Sequence, residues 1–381
     1  MNRLIRLPLL SPAKKKVAVG FDGYVDSVVR VMRSKDDQFN TLTEFGDYIQ
    51  GRANRSGSVE LRQVVEKIGG NMPIFSNALS RLGVDVTCIG AMGYPEVLPI
   101  FRDLADLCDL KTVSNPGYCQ ALEFDDGKLM LASNEDIDNL SYRTIVDRAG
   151  KDYLREVFRR SDLIVLLNWS EMKQSLSIWH GLEEDFFSRM EGKENKQIFM
   201  DLSDCSIRPP EDVKDIARLI GTLSRSFDVS LSLNQNEAEH LARASELPPA
   251  SIEETVSLLH RALGCRRLIV HLVDRCYCAY QDEMYMERSR YIEHPVLSTG
   301  GGDNFNAGFV FGLLCGLDCG GCIRIANSVS SFYVSHGYSP APEELRGWIN
   351  EGVVPKAAGK EGLHIDEIQQ AQDRNYRRRK C

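Results

Sequence analysis

The chain has 381 residues, of which 43% are hydrophobic and 26% are charged, and these proportions are typical of a globular protein with a sizeable core. A net charge of −8 argues against a nucleic-acid-binding protein, and no apolar run reaches the roughly 18 residues of a membrane span. Eleven cysteines, an odd number, indicate reduced thiols rather than a disulfide framework, and the N-terminal stretch is too short for a signal peptide, so we expect a cytoplasmic protein.

Short apolar runs alternate with helical patterns along most of the chain. Six of the runs predict buried strands, over residues 17–21, 84–90, 163–169, 197–202, 229–233 and 268–273. Three amphipathic stretches predict helices over residues 77–82, 213–223 and 252–263. Repeated strand–helix–strand units indicate a mainly parallel sheet with helices on both faces, and ligands of such sheets bind beyond the carboxyl ends of the strands.

Two segments interrupt this alternation. Residues 27–66 are polar and charged, and residues 117–133 alternate apolar and polar around an Asp-Asp-Gly turn at 125–127, which predicts a hairpin. We interpret both as parts of a lid or small sheet over the strand ends. A second hairpin is predicted over residues 277–291, and residues 365–380 predict a polar helix that ends in a basic, solvated tail.

A run of three glycines, Gly300, Gly301 and Gly302, leads into Asp303 and then into an apolar helical pattern over residues 305–314. Glycines let backbone N–H groups approach a ligand closely, and a helix start carries about half a positive charge, which attracts phosphate. A carboxylate at this point is placed to take a proton from an attacking hydroxyl. The alternative is a Gly-rich turn with Asp303 as an ordinary helix N-cap.

Polar residues follow other predicted strands. Asp22 and Asp26 leave the first strand and either bind sugar hydroxyls or stabilise a turn. Asn168 precedes Trp169, whose ring either stacks on a sugar or belongs to the core. Asn234 and Glu237 follow the strand at 229–233, where they either organise a hydrated magnesium ion or cap a helix.

A glycine pair, Gly69 and Gly70, brings the chain to Asn71 and a helix start, and Gly83 is placed to end that helix. Asn71 offers both hydrogen-bond donors and acceptors at this point. Taken alone, the segment is equally well explained as a turn with a helix cap.

Taken together, these motifs make the chain resemble the ribokinase-like (PfkB) family of carbohydrate kinases. Residues 69–83 are similar to the family's early Gly-Gly motif, Asn234 to Glu237 to its Asn-x-x-Glu motif, and residues 297–305 to its late Gly-Ala-Gly-Asp motif, in the family's order. The resemblance covers residues 15–345 as one kinase domain, with lid segments at about 27–66 and 117–133. Residues 346–381 are left as a C-terminal extension. It implies a ribokinase-like three-layer α/β/α fold with a mainly parallel central sheet and a small β lid.

The resemblance also implies an activity, a Mg-dependent transfer of the γ-phosphate of ATP to a hydroxyl of a sugar or sugar-like compound. By position, Asp303 is the implied base and the backbone of Gly300–Gly302 the anion hole for the phosphate. The implied sugar-binding residues are Asp22 or Asp26, Gly69, Gly70 and Asn71, and Asn168 is a further candidate because it ends a predicted strand. The implied ATP-binding residues are Asn234, Thr299 and Asn327, with Asn234 and Glu237 holding magnesium through water. A homodimer formed through the lid is left open.

The sequence departs from the family pattern at four places. Val25 occupies the usual position of the sugar-binding Asp, so Asp26 is its equivalent only with a one-residue insertion, and Asp22 is a rival. Ile74 replaces a sugar-contacting Asn, and residues 271–273 read His-Leu-Val instead of Thr-Leu-Gly. Leu297 replaces an Asp that helps to hold a monovalent cation in cation-activated members. The identity of the acceptor, ATP or ADP as donor, and activation by a monovalent cation therefore stay open.

Two other functions are compatible with the sequence. The departures permit a ribokinase-like protein that binds a metabolite without transferring phosphate, which an assay of ATP turnover with a panel of sugars would discriminate. Cys315, Cys319 and Cys322 have the spacing of an iron–sulfur cluster motif, although they fall at the end of one helical pattern and in a Gly-rich turn. Iron in anaerobically purified protein would support that alternative.

Overall fold

The computed structural model describes residues 14–293, 295–297 and 299–350. The strands in this part of the chain are β1 Lys16–Phe21, β2 Tyr24–Ser34, β3 Asp37–Gln38, β4 Glu60–Gly69, β5 Asp85–Ala91, β6 Asp109–Ser114, β7 Gly117–Phe124, β8 Gly127–Ser133, β9 Leu163–Leu166, β10 Gln197–Asp201, β11 Asp228–Asn234, β12 Arg267–His271, β13 Arg275–Tyr280 and β14 Glu283–Arg288. The helices are α1 Leu42–Gln50, α2 Asn71–Arg81, α3 Arg102–Ala105, α4 Glu135–Asp138, α5 Tyr142–Ala149, α6 Lys151–Arg160, α7 Ser175–Leu182, α8 Pro210–Ser224, α9 Gln235–Ala244, α10 Ile252–Leu263, α11 Gly301–Leu314, α12 Cys319–His336 and α13 Pro342–Asn350.

The central sheet has nine strands in the order β14-β13-β12-β11-β10-β9-β1-β5-β6. The strands from β12 to β6 pair in parallel, whereas β13 and β14 pair antiparallel at one end. Most of its parallel strands are short apolar runs, as expected for strands that are covered on both faces. The prediction of a mainly parallel sheet is confirmed.

Helices cover both faces of this sheet. Successive side chains of a strand point to opposite sides, and here both sets are apolar, so each face needs a covering layer. On β10, Ile198 and Met200 pack into a core with α5 to α10, while Phe199 packs into a second core with α2, α11 and α12. The helix α11 is buried on nearly every side between the sheet and its neighbours α2 and α12. The predicted three-layer α/β/α arrangement is therefore confirmed.

A smaller sheet contains β2, β3, β4, β7 and β8, with β2 paired to three of the others. Its strands come from the two segments that interrupt the alternation, and the predicted hairpin turn lies between Phe124 and Gly127. The helix α1 packs on this sheet, where the ring of Phe45 stacks on that of Phe124 at 5.7 Å. We call this small sheet with α1 the lid.

Several boundaries differ from the predicted ones for local reasons. The strand predicted at 163–169 ends at Leu166, and Asn168 adopts a left-handed conformation with φ 55°, which ends regular pairing. The helix predicted at 77–82 begins earlier, at Asn71, because a carboxylate distant in sequence caps its first turn. The hairpin predicted at 277–291 is confirmed as β13 and β14, which extend the central sheet.

Some parts of the chain were not predicted or lie outside the described residues. The strand β6 at the sheet edge and the helices α5 to α7 had no counterpart in the sequence analysis. The predicted helix at 365–380 lies outside the described residues, and the division into domains at residue 345 stays a prediction. Among the described helices, none is both long and apolar enough to cross a membrane.

Candidate active site

The carboxyl ends of adjacent parallel strands bring polar side chains to one edge of the central sheet. The residues that end or follow β1, β9, β10, β11 and β12 are Asp22, Asn168, Asp201, Asn234 and His271. Parallel strands that pair in register must end at the same edge, so residues up to 249 positions apart become neighbours there. The lid and the first turn of α11 complete the surroundings of this edge.

Asp22 is the most connected of these side chains. It is fully buried, and its oxygens accept hydrogen bonds from the backbone N–H of Asn71 at 2.7 Å and of Met72 at 2.8 Å. The side-chain amide of Asn168 donates a third hydrogen bond at 2.9 Å. Gly70, which precedes α2, has no side chain to cap the helix, so Asp22 supplies the cap from another strand. Burial still raises the pKa of Asp22 overall.

Gly69 and Gly70 each lie directly against a carboxyl group, that of Asp26 and that of Asp22 respectively. A Cβ on Gly70, whose φ is +85°, would lie 2.8 Å from Oδ2 of Asp22. A Cβ on Gly69 would lie 2.4 Å from the carboxyl group of Asp26. The glycine pair therefore allows two carboxylates, one from β1 and one from the lid, to rest directly against the backbone.

Asp303 lies in the first turn of α11 and is 9% exposed. The nearby amide of Asn71 lowers the pKa of Asp303, and this amide donates to Oγ of Ser203 at 3.2 Å. Oδ1 of Asp303 is buried and has no hydrogen-bond partner among the described residues. A buried carboxylate oxygen without a partner is costly, and at this position it is available to a ligand hydroxyl.

The glycine run before Asp303 forms the start of α11. Gly300 has φ +92°, and a Cβ there would lie 2.8 Å from the hydroxyl of Tyr333, which donates to the backbone carbonyl of Thr299. No side chain caps the helix at Gly300. The first N–H groups of a helix have no partner within it, so the N–H groups of Gly301 and Gly302 are open to an anion.

The acidic residues around α11 repel one another. Burial, followed by the negative charges of Asp201 and Asp22, raises the pKa of Asp303 well above that of an ordinary carboxyl. Burial also raises the pKa of Asp201, although Ser203 N–H and Asn306 Nδ2 donate to its oxygens at 2.7 and 2.5 Å. Positive charge brought into this region would favour the ionised form of all three acids.

Asn234 and Glu237 form a reciprocal capping box at the start of α9. Oδ1 of Asn234 accepts from the N–H of Glu237 at 3.0 Å, and Oε2 of Glu237 accepts from the N–H of Asn234 at 2.8 Å. Burial and then the charge of Asp201 raise the pKa of Glu237 to about 8. The capping interpretation is confirmed, and it also brings a second buried carboxyl group close to Asp201.

His271 departs from the family pattern and lies beside the glycine run. Its ring packs on that of Phe305 at 5.0 Å, and its Cε1 would lie 3.9 Å from a Cβ on Gly302. Burial lowers the pKa of His271 to about 4, so the imidazole is neutral near pH 7.

The remaining predicted site residues are held by distinct contacts. Thr299 accepts a hydrogen bond at 3.2 Å from Lys128, which belongs to the lid. Asn327 accepts from Ser289 Oγ and donates to the carbonyl of Arg288, so it joins α12 to the end of β14. Trp169 is fully buried in the core, which contradicts its interpretation as a surface that stacks on a sugar.

Four residues at this site were missed by the sequence analysis, namely Asp201, Ser203, Tyr333 and Lys128. Asp201 ends a predicted strand, so the rule that selected Asp22, Asn168 and Asn234 would have selected it too. Lys128 and Tyr333 carry no such local signal, because only the tertiary fold brings them to Thr299.

The cysteines considered for an iron–sulfur cluster are dispersed over two helix ends. Cys315 follows α11, whereas Cys319 and Cys322 lie in the first turn of α12 rather than in a loop, and both are buried. Within the described residues, no three His, Cys, Asp or Glu side chains are arranged so that they could together hold a metal ion.

A family model described as prokaryotic ketohexokinase matches residues 7–352. The chain belongs to the prokaryotic ketohexokinase family. This membership places it among the ATP-dependent carbohydrate kinases, as the resemblance to the ribokinase-like family predicted. A ketohexokinase of Haloferax volcanii is 26% identical over 340 residues, which cover 87% of this chain and 90% of the relative.

Solved structures of ribokinase-like proteins share the fold. The apo form of a putative ribokinase II of E. coli superposes with a TM-score of 0.64 at 15% identity and covers 89% of this chain and 99% of its own. An adenosine kinase of Sinorhizobium meliloti gives 0.62 at 17% identity, with the same coverage. The putative ribokinase II of E. coli in complex with ATP and Mg2+ also gives 0.62, at 15% identity, and covers 89% and 99%.

Proposed function

We propose that this member of the ketohexokinase family transfers the γ-phosphate of ATP to a hydroxyl of a ketohexose. The family match and the Haloferax relative support the sugar, and the ribokinase-like structure with bound ATP and Mg2+ supports the donor. The observation that carries the proposal is the unpartnered, buried Oδ1 of Asp303 at the uncapped start of α11. It combines a base and an anion site within one helical turn.

Asp303 acts as the base in this proposal. Its free oxygen accepts the proton of the acceptor hydroxyl while that hydroxyl oxygen bonds to the γ-phosphorus and the bond to the β-phosphate oxygen breaks. The nearby amide of Asn71 favours the ionised form of this carboxyl group. The raised pKa of Asp303 keeps it a better proton acceptor than an ordinary carboxylate once it is ionised.

The backbone N–H groups of Gly301 and Gly302 donate to the oxygens of the transferring phosphate. These N–H groups need not reorient during the reaction, because the helix already fixes their direction. Gly300 makes this placement feasible, since a side chain there would collide with Tyr333.

Asp201, Glu237 and Asn234 are the residues placed to hold magnesium, through water. Burial raises the pKa of both Asp201 and Glu237, the charge of Asp201 raises that of Glu237 further, and a cation would favour the ionised form of both. Magnesium, when bound, neutralises charge on the phosphates and usually keeps several water ligands, which suits a site without three convergent carboxylates. The oxygens of Asn234 and Glu237 already engaged in the capping box retain further lone pairs for such waters.

Sugar hydroxyls would bind between the strand ends and the lid. Asn168 has a buried Oδ1 without a partner, and Asp26 presents its carboxyl group beside Gly69. Asn71 adds an amide that donates to Ser203 and influences the pKa of Asp303. Asp22 is better suited to positioning, since both of its oxygens already accept hydrogen bonds from Asn71, Met72 and Asn168. Thr299 lies just before α11 and Asn327 lies on α12. Both are proposed to lie along the nucleotide.

The test is a phosphotransferase assay of the purified full-length protein. It combines ATP and Mg2+ with fructose, other ketohexoses, aldohexoses, ribose and nucleosides, and it detects the sugar phosphate directly. We expect turnover with a ketohexose at a kcat/KM at least about tenfold above the other acceptors, the worth of one well-placed hydrogen bond. Substitution of ADP for ATP in the same assay decides the donor. Binding of fructose without any product would instead favour a metabolite-binding protein.

A further inference from the structure

The backbone turn that leads into α11 is held by side chains at every residue. Each carbonyl group of residues 299–301 accepts a hydrogen bond from a polar side chain at 2.9 Å. Tyr333 and Ser330 on α12 donate to the first and the third carbonyl, and the side-chain amide of Asn304 donates to the middle one. Three consecutive peptide groups are therefore fixed from outside the turn.

These hydrogen bonds also set the direction of the N–H groups in the proposed anion site. A peptide group is planar, so the carbonyl of one residue and the N–H of the next lie in one rigid plane and point in opposite directions. Fixing the carbonyl groups of residues 299–301 therefore fixes the N–H groups of Gly300, Gly301 and Gly302. Glycine offers little resistance to backbone rotation, so this turn depends on outside contacts for its shape.

Tyr333 rests directly against the turn. Its hydroxyl oxygen would lie 2.8 Å from a Cβ on Gly300, and its side chain is buried. Burial, and then the negative charges of Asp303 and Asp26, raises the pKa of Tyr333 above that of an ordinary phenol. The hydroxyl therefore keeps its proton and remains a hydrogen-bond donor at any pH at which a kinase would be assayed.

Asn304 is held in a single orientation. Its side-chain oxygen accepts a hydrogen bond from Oγ of Ser339 at 2.8 Å, which leaves the amide nitrogen directed at the carbonyl of Gly300. Asn77 on α2 lies 3.4 Å from the same hydroxyl, and Asn304 is fully buried. The turn is thus supported by a network that includes α2, α11, α12 and the segment after α12.

The residues beside the turn do not fit a monovalent cation. Leu297 brings no oxygen to the position at which cation-activated ribokinase-like proteins have an aspartate. The end of α12 would otherwise attract a cation, because the last carbonyl groups of a helix carry partial negative charge. Protein donors occupy them here. The N–H groups of Val296 and Leu297 donate to the carbonyl of Val334 at 2.9 and 3.3 Å, and the N–H of Gly337 donates to that of Tyr333 at 2.7 Å.

We propose that Tyr333 and Ser330 of α12, together with Asn304, are positioning residues that take the place of a monovalent cation, so that phosphoryl transfer proceeds without one. This inference rests on the proposed kinase function and deepens it. The three side chains contact neither the sugar nor the phosphate. They hold the N–H groups of the anion site in the direction that the transferring phosphate needs, before the nucleotide binds.

The first experiment measures the dependence of turnover on salt. The full-length protein phosphorylates fructose with the Tris salt of ATP and magnesium chloride, in choline, sodium or potassium chloride at equal ionic strength. We expect the three kcat values to agree within about threefold, because general screening by salt is the same in all of them. A larger activation by potassium or sodium would overturn the proposal but leave the proposed function standing. Absence of turnover in every salt would remove the proposed function, and the inference with it.

The second experiment removes single hydroxyl groups. Tyr333→Phe should lower kcat at least about fivefold with KM for the sugar within about twofold, because misdirected N–H groups stabilise the transition state less. Ser330→Ala should act in the same direction. Tyr153→Phe, at a residue of α6 that is 38% exposed, is the matched control and should stay within about twofold of the unsubstituted protein. Equal kcat values for Tyr333→Phe and Tyr153→Phe would contradict the role given to Tyr333.

A binding measurement separates positioning from a general loosening of the fold. ADP with aluminium fluoride mimics the transferring phosphoryl group, whereas ADP alone does not reach the anion site. With sugar present, Tyr333→Phe should weaken the first about tenfold and the second less than about twofold. If both are weakened alike, the role of Tyr333 is structural and the proposal is wrong.

Potassium should not rescue Tyr333→Phe, since Leu297 still brings no oxygen ligand to the turn. We therefore expect the same fold loss of kcat in potassium chloride as in choline chloride. Restoration of kcat by potassium would show that this turn does hold a cation, and it would overturn the proposal even if the unsubstituted protein is insensitive to salt.

Discussion

The side-chain amide of Asn168 donates to Oδ2 of Asp22 at 2.9 Å, and this bond joins the ends of β9 and β1 across 146 residues. The same oxygen accepts the backbone N–H of Asn71 at 2.7 Å. One buried carboxylate thus fixes the start of α2 and the amide that follows β9. Both groups face the site of the proposed sugar.

Asp22→Asn should therefore destabilise the fold and distort the site. In aspartate, the two oxygens accept hydrogen bonds from Asn71, Met72 and Asn168. In asparagine, one of these oxygens becomes an NH2 group, which cannot accept, so at least one of the three donors is left buried without an acceptor. We expect the free energy of unfolding in urea to fall by about 2 to 4 kcal/mol, the usual cost of one or two unsatisfied buried groups. The matched control is Asp36→Asn on an exposed turn, which should change it by less than about 0.5 kcal/mol. Equal effects of the two substitutions would contradict the central role given to Asp22.

Asp303→Asn tests the base. Because the carboxyl group is buried among other acids, an amide of the same shape should leave the melting temperature unchanged or raise it. The kcat for the ketohexose should fall by about two to four orders of magnitude, the worth of a positioned base. Asp152→Asn, an exposed residue of α6, serves as the control for both measurements. Near-full activity of Asp303→Asn would remove Asp303 from the mechanism.

The pH dependence of kcat/KM should report the raised pKa of Asp303. The base must be ionised, so the rate should rise with pH through a pKa above the ordinary carboxyl range. Asp201→Asn removes one of the charges that raise this pKa, and the acidic limb of the profile should move to lower pH. Asp282→Asn, on the exposed turn between β13 and β14, should leave the limb in place. A shift to higher pH in Asp201→Asn would refute the assigned electrostatics.

The fold and the start of α11, where the proposed base lies, were predictable because their signals are local. A glycine run followed by an apolar helical pattern predicts the start of α11 and the position of Asp303 without any tertiary information. The sequence could not decide between helix capping and magnesium binding at Asn234 and Glu237, because the same residue types serve both roles; the structure shows the capping. The contact of Lys128 with Thr299 could not be predicted at all, since it depends on how the lid is set against the sheet.

The lid offers a surface for self-association. Within the described part of the chain, its edge strand β8 pairs with β7 alone, and Tyr118 and Leu131 on these strands are 47% and 49% exposed. Unpaired edges with exposed apolar side chains favour pairing with another chain. We expect light scattering after size exclusion to give a homodimer rather than the 42.8 kDa monomer, and Leu131→Glu to shift it toward monomer. Leu107→Glu, at an exposed site outside the lid, should leave the mass unchanged. A monomer at all concentrations would exclude the lid dimer.

Glu237 should make the metal-free protein less stable as the pH rises. Its pKa is about 8 in the folded protein against an ordinary value of 4.5, so between these values only the folded state keeps the proton. Stability from this group is full below about pH 4.5 and is lost as the pH rises through about 8. In the presence of a chelator, the free energy of unfolding should fall by about 2 kcal/mol between pH 6 and pH 9. Glu237→Gln cannot ionise and should make this fall smaller, since only the contributions of the other buried acids remain, whereas Glu253→Gln, exposed on α10, should keep the full fall. If the fall is as large in Glu237→Gln as in the unsubstituted protein, other groups are responsible for it and the electrostatic coupling of Glu237 to Asp201 is wrong.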